Sequence, residues 1–151
     1  MAANFNPIYT LTPNVGVGKI GTTAAHTASS GIGIVDTNLF VAFTAGPSGS
    51  FIQRARFNAI ASAAAVNTVA TTLRVFLSSV NTGTTTSANT SLLVEVSVPG
   101  TLSTANSTNS VLYYDIPLNI AVPSTRYILI SQHVAQTTNQ QWQGTVFGGD
   151  Y

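Results

Sequence analysis

Apolar and polar side chains alternate along most of this chain with a period of two. From Phe51 the pattern is clear: Phe51, Ala55, Phe57 and Ala59 fall on one side of an extended chain, Arg54, Arg56 and Asn58 on the other. Leu73, Val75 and Leu77 oppose Arg74 and Phe76, and Leu92, Val94, Val96 and Val98 oppose Glu95 and Ser97. Leu112, Tyr114, Ile116, Leu118 and Ile120 oppose Tyr113, Asp115 and Asn119, with Pro117 on the outward side as the mark of an edge or a bulge. Shorter runs at 15–20, 39–43 and 141–147, and a run at 127–133 that is apolar on both faces, complete a set of about eight strands.

Gly, Pro and Asn punctuate these runs. The segment Thr44-Ala45-Gly46-Pro47-Ser48-Gly49 has the turn chemistry of a loop between paired strands, and 21–33, rich in Ala, Ser and Thr, reads as a loop. The alanines of 58–70 favour helix by propensity, but strand-like flanks and the lack of an apolar stripe argue against one. Residues 1–14 carry Pro7 and Pro13 with isolated apolar side chains at Phe5, Ile8, Tyr9 and Leu11 and no sustained alternation, the pattern of an extended N-terminal arm. Short strands with one dry face must cover it with a second sheet. The expectation is an all-β chain: an arm over 1–14 and one domain over 15–151, a jelly roll or antiparallel β-sandwich.

Composition narrows the chemistry. The 151 residues hold nine charged side chains (Lys19, Asp36, Arg54, Arg56, Arg74, Glu95, Asp115, Arg126, Asp150), two histidines and no cysteine. No disulfide framework or thiolate metal site is available. A net charge of +1 gives no broad field for nucleic acid or acidic lipid. The first seven residues lack a basic region followed by an apolar one, and no apolar run approaches membrane-spanning length, so neither a secretory signal nor a membrane partner is expected. A hydrophobic fraction of 44% sets the chain apart from disordered sequences.

Motifs for catalysis are weak. Gly16-Val17-Gly18-Lys19-Ile20-Gly21 fits a dinucleotide-binding glycine pattern, with Asp36 downstream, but no helix-like sequence follows Gly21. A Gly-rich strand end accounts for it, and Ile20 stands where a phosphate-binding loop needs Ser or Thr. His26 and His133 have no neighbouring acids in sequence and read as a loop residue and a strand-end residue. No nucleophile elbow accompanies the serines. Glu95 and Asp115 sit on wet strand faces, where they serve as cross-strand partners for Arg54, Arg56 or Arg74. The reading is of a non-enzyme with no cofactor.

Binding candidates are few. Arg54 and Arg56 project two guanidinium groups from one side of a strand, a stripe fit for partner carboxylates unless the chain pairs them internally. Trp142, among Gln140, Gln141 and Gln143, and the Tyr113-Tyr114 pair offer a sugar platform if exposed, with core packing the expected place of Trp142 and Tyr114.

The segments Pro13-Asn14-Val15-Gly16-Val17-Gly18-Lys19-Ile20, Phe43-Thr44-Ala45-Gly46 through Gly49-Ser50 into Ile52-Gln53-Arg54-Ala55-Arg56, Leu73-Arg74-Val75-Phe76-Leu77 and Gly148-Gly149-Asp150-Tyr151 resemble small structural proteins encoded near the capsid genes of tailed bacteriophages. The resemblance implies a capsid decoration, or cement, protein of the jelly-roll type. Such a protein is made in the host cytoplasm and assembles as a dimer or trimer on the capsid exterior, where it binds the major capsid protein. Phe5, Ile8, Tyr9 and Leu11 of the arm, with Arg54 and Arg56, are then the candidate interface residues. The competing expectation is a carbohydrate-binding head or tail fibre domain built on Trp142.

Overall fold

Eight strands carry the fold: β1 (Thr12–Ile20), β2 (Phe40–Thr44), β3 (Ser50–Ala61), β4 (Thr71–Ser78), β5 (Thr90–Val98), β6 (Tyr113–Val122), β7 (Tyr127–Gln132) and β8 (Gln140–Asp150). The structure is a computed structural model and describes residues 10–61, 68–100 and 113–151, among which there is no helix. Leu112 and the arm residues Phe5, Ile8 and Tyr9 lie outside the described residues.

The strands form two antiparallel four-stranded sheets, β1-β8-β3-β6 and β2-β7-β4-β5. This order follows from one operation on the chain. Folded in half at the β4–β5 connection, it pairs β4 with β5, β3 with β6, β2 with β7 and β1 with β8. Successive pairs fall alternately into the two sheets, and the β3–β8 and β4–β7 ladders close each of them. That winding is a jelly roll.

The main core lies between the sheets. Phe43, Ile52, Phe57, Leu73, Val75, Ile128, Ile130, Trp142 and Val146 are all buried there. Full burial of one such aliphatic or aromatic side chain contributes about 1.5–3 kcal/mol. A second, smaller core of Val35, Leu39, Phe76 and Leu129 lies on the outer side of the second sheet, beneath the long β1–β2 connection. Phe76, expected on a wet face, is therefore fully buried.

Other details also depart from simple alternation. β1 begins at Thr12, paired with Asp150, so the last three residues of the expected 1–14 arm belong to the sheet. The β3 register shifts between Ile52 and Arg54, leaving Gln53 as an extra residue opposite β8. The bulge turns Ile52 rather than Phe51 into the core. A shift in the β4–β5 ladder skips Leu93, so Leu93 packs against the core and Leu92 is exposed. The 44–49 turn does not join paired strands: β2 and β3 lie in different sheets. The Ala-rich stretch continues β3 as far as Ala61, and 62–67 lie outside the described residues.

The Gly16–Gly18 pair has a structural explanation. A Cβ on Gly16 would lie 2.0 Å from the Ala42 carbonyl oxygen, and one on Gly18 would lie 2.7 Å from that of Val41. The two glycines let the β1 and β2 backbones meet where the sheets close on each other. Pro117 sits on β6, an edge strand, beside the β3–β6 register shift.

Candidate interface surface

The outer faces of the two sheets are built differently. On the second sheet, the β1–β2 connection is bound down by polar side chains. Arg74 projects outward from β4 yet is buried; its Nη1 donates to the His26 carbonyl at 2.7 Å and its Nε to Glu95 Oε2 at 3.0 Å. Its Nη2 lies 3.2 Å from His133 Nδ1, which must accept because a guanidinium only donates. Gln132 Nε2 donates to the carbonyls of Gly21 at 2.9 Å and Ala24 at 2.6 Å.

His26, expected as a loop residue, is 1% exposed. Its Nε2 must carry the proton, because its partner 2.9 Å away is the Ile32 carbonyl, and Nδ1 then accepts from the Ser131 hydroxyl at 3.0 Å. The ring meets Phe76 edge-on at 5.5 Å. Burial pushes the pKa of His26 below its ordinary value of 6.5, outweighing the Ile32 hydrogen bond that raises it. His26 and His133 thus meet through Arg74, a juxtaposition their sequence separation hid. This network fastens a loop. Among the described residues, no group of three His, Cys, Asp or Glu side chains is placed to hold a metal ion.

The outer face of the first sheet carries no such loop among the described residues. Ladder registers set its side chains in rows: Val15, Phe147, Arg54 and Pro117 in one, Val17, Thr145, Arg56 and Asp115 in the next, Lys19, Gln143, Asn58 and Tyr113 in a third. Val15 is 55% exposed, Val17 52% and Tyr113 55%. Arg54 and Arg56 do project to one side, and both turn toward Asp115. Arg56 donates to both carboxylate oxygens, at 2.7 and 2.5 Å, while Arg54 Nε is 3.9 Å away. The Arg56 guanidinium, with Arg54 behind it, holds the Asp115 carboxyl below its ordinary value. Arg54 lies over the Phe147 ring and Arg56 over Tyr113, each at 4.6 Å. The stripe is therefore a pre-ordered cluster of two guanidinium groups on one carboxylate, with positive charge to spare.

Leu11 is 80% exposed at the corner where the chain enters this face. At the same corner Asp150 accepts from Ser50 Oγ at 2.5 Å and from Asn14 Nδ2 at 2.9 and 3.0 Å. Ser50 first, then Asn14 and the Gly46 backbone N–H, hold its carboxyl below the ordinary value. The cluster ties β1, β3 and β8 together at one end of the sandwich. Nothing in the spacing of residues 14, 50 and 150 announced it; only the jelly-roll winding brings them together.

Trp142 does not form a sugar platform: it is fully buried, its ring tilted against Tyr114 at 6.1 Å. Inward alternation on β8, together with Ala59 opposite it on β3, places it between the sheets. Neither a protein-family model nor a curated protein matches this chain.

Proposed function

We infer that this chain is a structural virion protein that decorates and cements the capsid of a tailed bacteriophage, binding the major capsid protein non-covalently as a homo-oligomer on the capsid exterior. The observation that carries this reading is the outer face of the first sheet, bare among the described residues: exposed Val15, Val17 and Tyr113 beside a fixed guanidinium pair, on a molecule whose other sheet is covered. Exposed apolar side chains rimmed by polar ones mark a surface for a macromolecular partner, and the resemblance of the four sequence segments to capsid-associated proteins supplies the kind of partner. Arg54 and Arg56 serve contact with carboxylates on the shell. Leu11, exposed at that corner, adds apolar contact, and Phe5, Ile8 and Tyr9 of the arm are the further apolar contacts of this reading. A carbohydrate-binding fibre domain is the weaker reading, because Trp142 is inside the core and the exposed Tyr113 ring is already covered by the Arg56 guanidinium.

Co-sedimentation with purified phage capsids tests the reading. Saturable pelleting of the wild type, lost in Val17→Asp, is expected; a chain that stays in the supernatant at every concentration, or binds glycans instead, overturns it.

A further inference from the structure

The β1–β2 connection is fastened to the rest of the chain by neutral groups on both sides of a short segment, and by titratable groups within it. Before the segment, Gln132 Nε2 holds the Gly21 and Ala24 carbonyls, and the Gln136 N–H donates to the Thr22 carbonyl at 2.8 Å. After it, Thr85 Oγ1 accepts from the Gly33 N–H at 2.8 Å, and the Thr85 N–H donates to the Gly33 carbonyl at 2.8 Å. Residues 25–30 lie between, and His26 alone of them is buried. Its N–H donates to the Gln132 carbonyl at 2.8 Å. Its ring is held by Ser131 and Ile32, and its carbonyl by Arg74.

To this cluster β4 contributes Arg74, β5 contributes Glu95 and the residue after β7 is His133, while β7 itself meets the His26 ring with Ser131. Imidazole is the side chain whose charge changes in mild acid. A proton on His133 Nδ1 turns the acceptor of Arg74 Nη2 into a donor. A proton on His26 adds a charge to a buried ring whose own carbonyl is bonded to Arg74. Glu95 is the one carboxylate paired with Arg74 among the described residues, so three positive charges then face one negative charge, at a cost that an open segment avoids. We propose that residues 25–30 form an acid-released flap: when His26 and His133 take up protons, the His26 ring lifts off Phe76 and Ser131, while Gln132 and Thr85 keep the rest of the connection in place. Burial keeps the closed ring neutral, so proton uptake favours the open form. The flap is shut above the ordinary imidazole range and opens as pH falls below it. Opening bares Phe76 and frees Arg74 from the His26 carbonyl, which gives the covered sheet an apolar and cationic surface that neutral solution hides. This inference goes beyond the capsid reading and does not depend on it.

The chain has no cysteine and one tryptophan, so an introduced thiol reports the flap and Trp142 reports the main core in the isolated full-length protein. Ser131→Cys exchanges a buried hydroxyl for a thiol at the atom facing His26 Nδ1. Ser97→Cys, exposed on β5, corrects for the pH dependence of the disulfide reagent. Between about pH 7.5 and about pH 5, above the ordinary carboxylate range, the labelling rate of Ser131→Cys relative to Ser97→Cys is expected to rise at least about tenfold, the effect of one proton over the unit and a half below an ordinary imidazole. Trp142 emission is expected to stay constant. His26→Gln should flatten the rise, and His133→Gln, which offers Arg74 an acceptor at every pH, should reduce it. In the cysteine-free chain, hydroxyl-radical oxidation of Phe76 should increase over the same range, a readout independent of the thiol. Labelling and Phe76 oxidation that do not change with pH overturn the proposal. So does a rise that survives in both histidine variants, or one that accompanies a shift in Trp142 emission and is therefore global unfolding. No capsid enters the assay, so its failure is distinct from failure of the capsid reading.

Discussion

The two sheets of this sandwich meet solvent in opposite ways. The outer face of the second sheet is closed by the β1–β2 connection, which adds its own small core and a buried arginine. The outer face of the first keeps valines and a tyrosine in the open beside two guanidinium groups. An antiparallel sheet needs only one buried face, so the covered face is the one that calls for explanation, and its explanation is stability. On the proposed function, the exposed apolar side chains of the bare face serve contact with a partner.

Substitutions on the covered face should therefore damage the fold, and those on the bare face should damage association. The largest effect is expected at the second core. Phe76→Ala should lower unfolding free energy by about 3–5 kcal/mol, whereas Val17→Thr on the bare face should stay within about 0.5 kcal/mol; urea denaturation of both checks the contrast. Next comes Arg74→Met, which strands the His26 carbonyl and should cost about 1.5–3 kcal/mol. Limited proteolysis should then cut within 21–39 before any strand.

Acid should act on each end of the structure in its own window. Because His26 has a folded pKa below its ordinary 6.5, its contribution is intact above that pH and is lost as pH falls from there toward the folded value, where the unfolded chain takes the proton first. The Asp150 carboxyl has a folded pKa below its ordinary 3.8, so its contribution holds above that value and is lost as pH falls through the lower folded one. Denaturation midpoints measured across pH should lose the upper slope in His26→Gln and only part of the lower slope in Asp150→Asn, because Asp115 is also held below its ordinary value. The smallest effect on stability is expected from Arg54→Ala with Arg56→Ala, which removes only exposed pairing with Asp115 and should lower the midpoint slightly. Capsid binding by that double variant should weaken and lose part of its salt dependence.

Most strands were legible because period-two alternation is a direct record of one buried face: Ala55, Phe57 and Ala59 on β3 and Leu73 and Val75 on β4 are all in the core. Phe51 and Leu92 were misplaced because a bulge inverts the faces beyond it and leaves no mark in the hydrophobic pattern. The cover over the second sheet had a visible trace. Leu129 between Ile128 and Ile130, and Phe76 opposite Val75, make strands apolar on both faces, and a strand of that kind needs a layer on each side. The loop supplying that layer is rich in small polar residues and hides its role. That Asp115 and Glu95 serve as cross-strand partners for arginines followed from charges on wet strand faces, while which arginine each takes, Arg56 on the candidate surface and Arg74 on the covered sheet, depends on the strand order. The Asn14–Ser50–Asp150 cluster did not, since it depends on long-range winding alone.

Hydroxyl-radical footprinting of the chain, free and bound to purified capsids, compares the two faces in one experiment. A contact through the bare face predicts strong protection of Val15, Val17, Phe147 and Tyr113 on binding, with Ile32 and Ile34 on the covering loop as reactive as in the free chain. Protection centred on Ile32 and Ile34, or no change at Val15 and Val17, would contradict it.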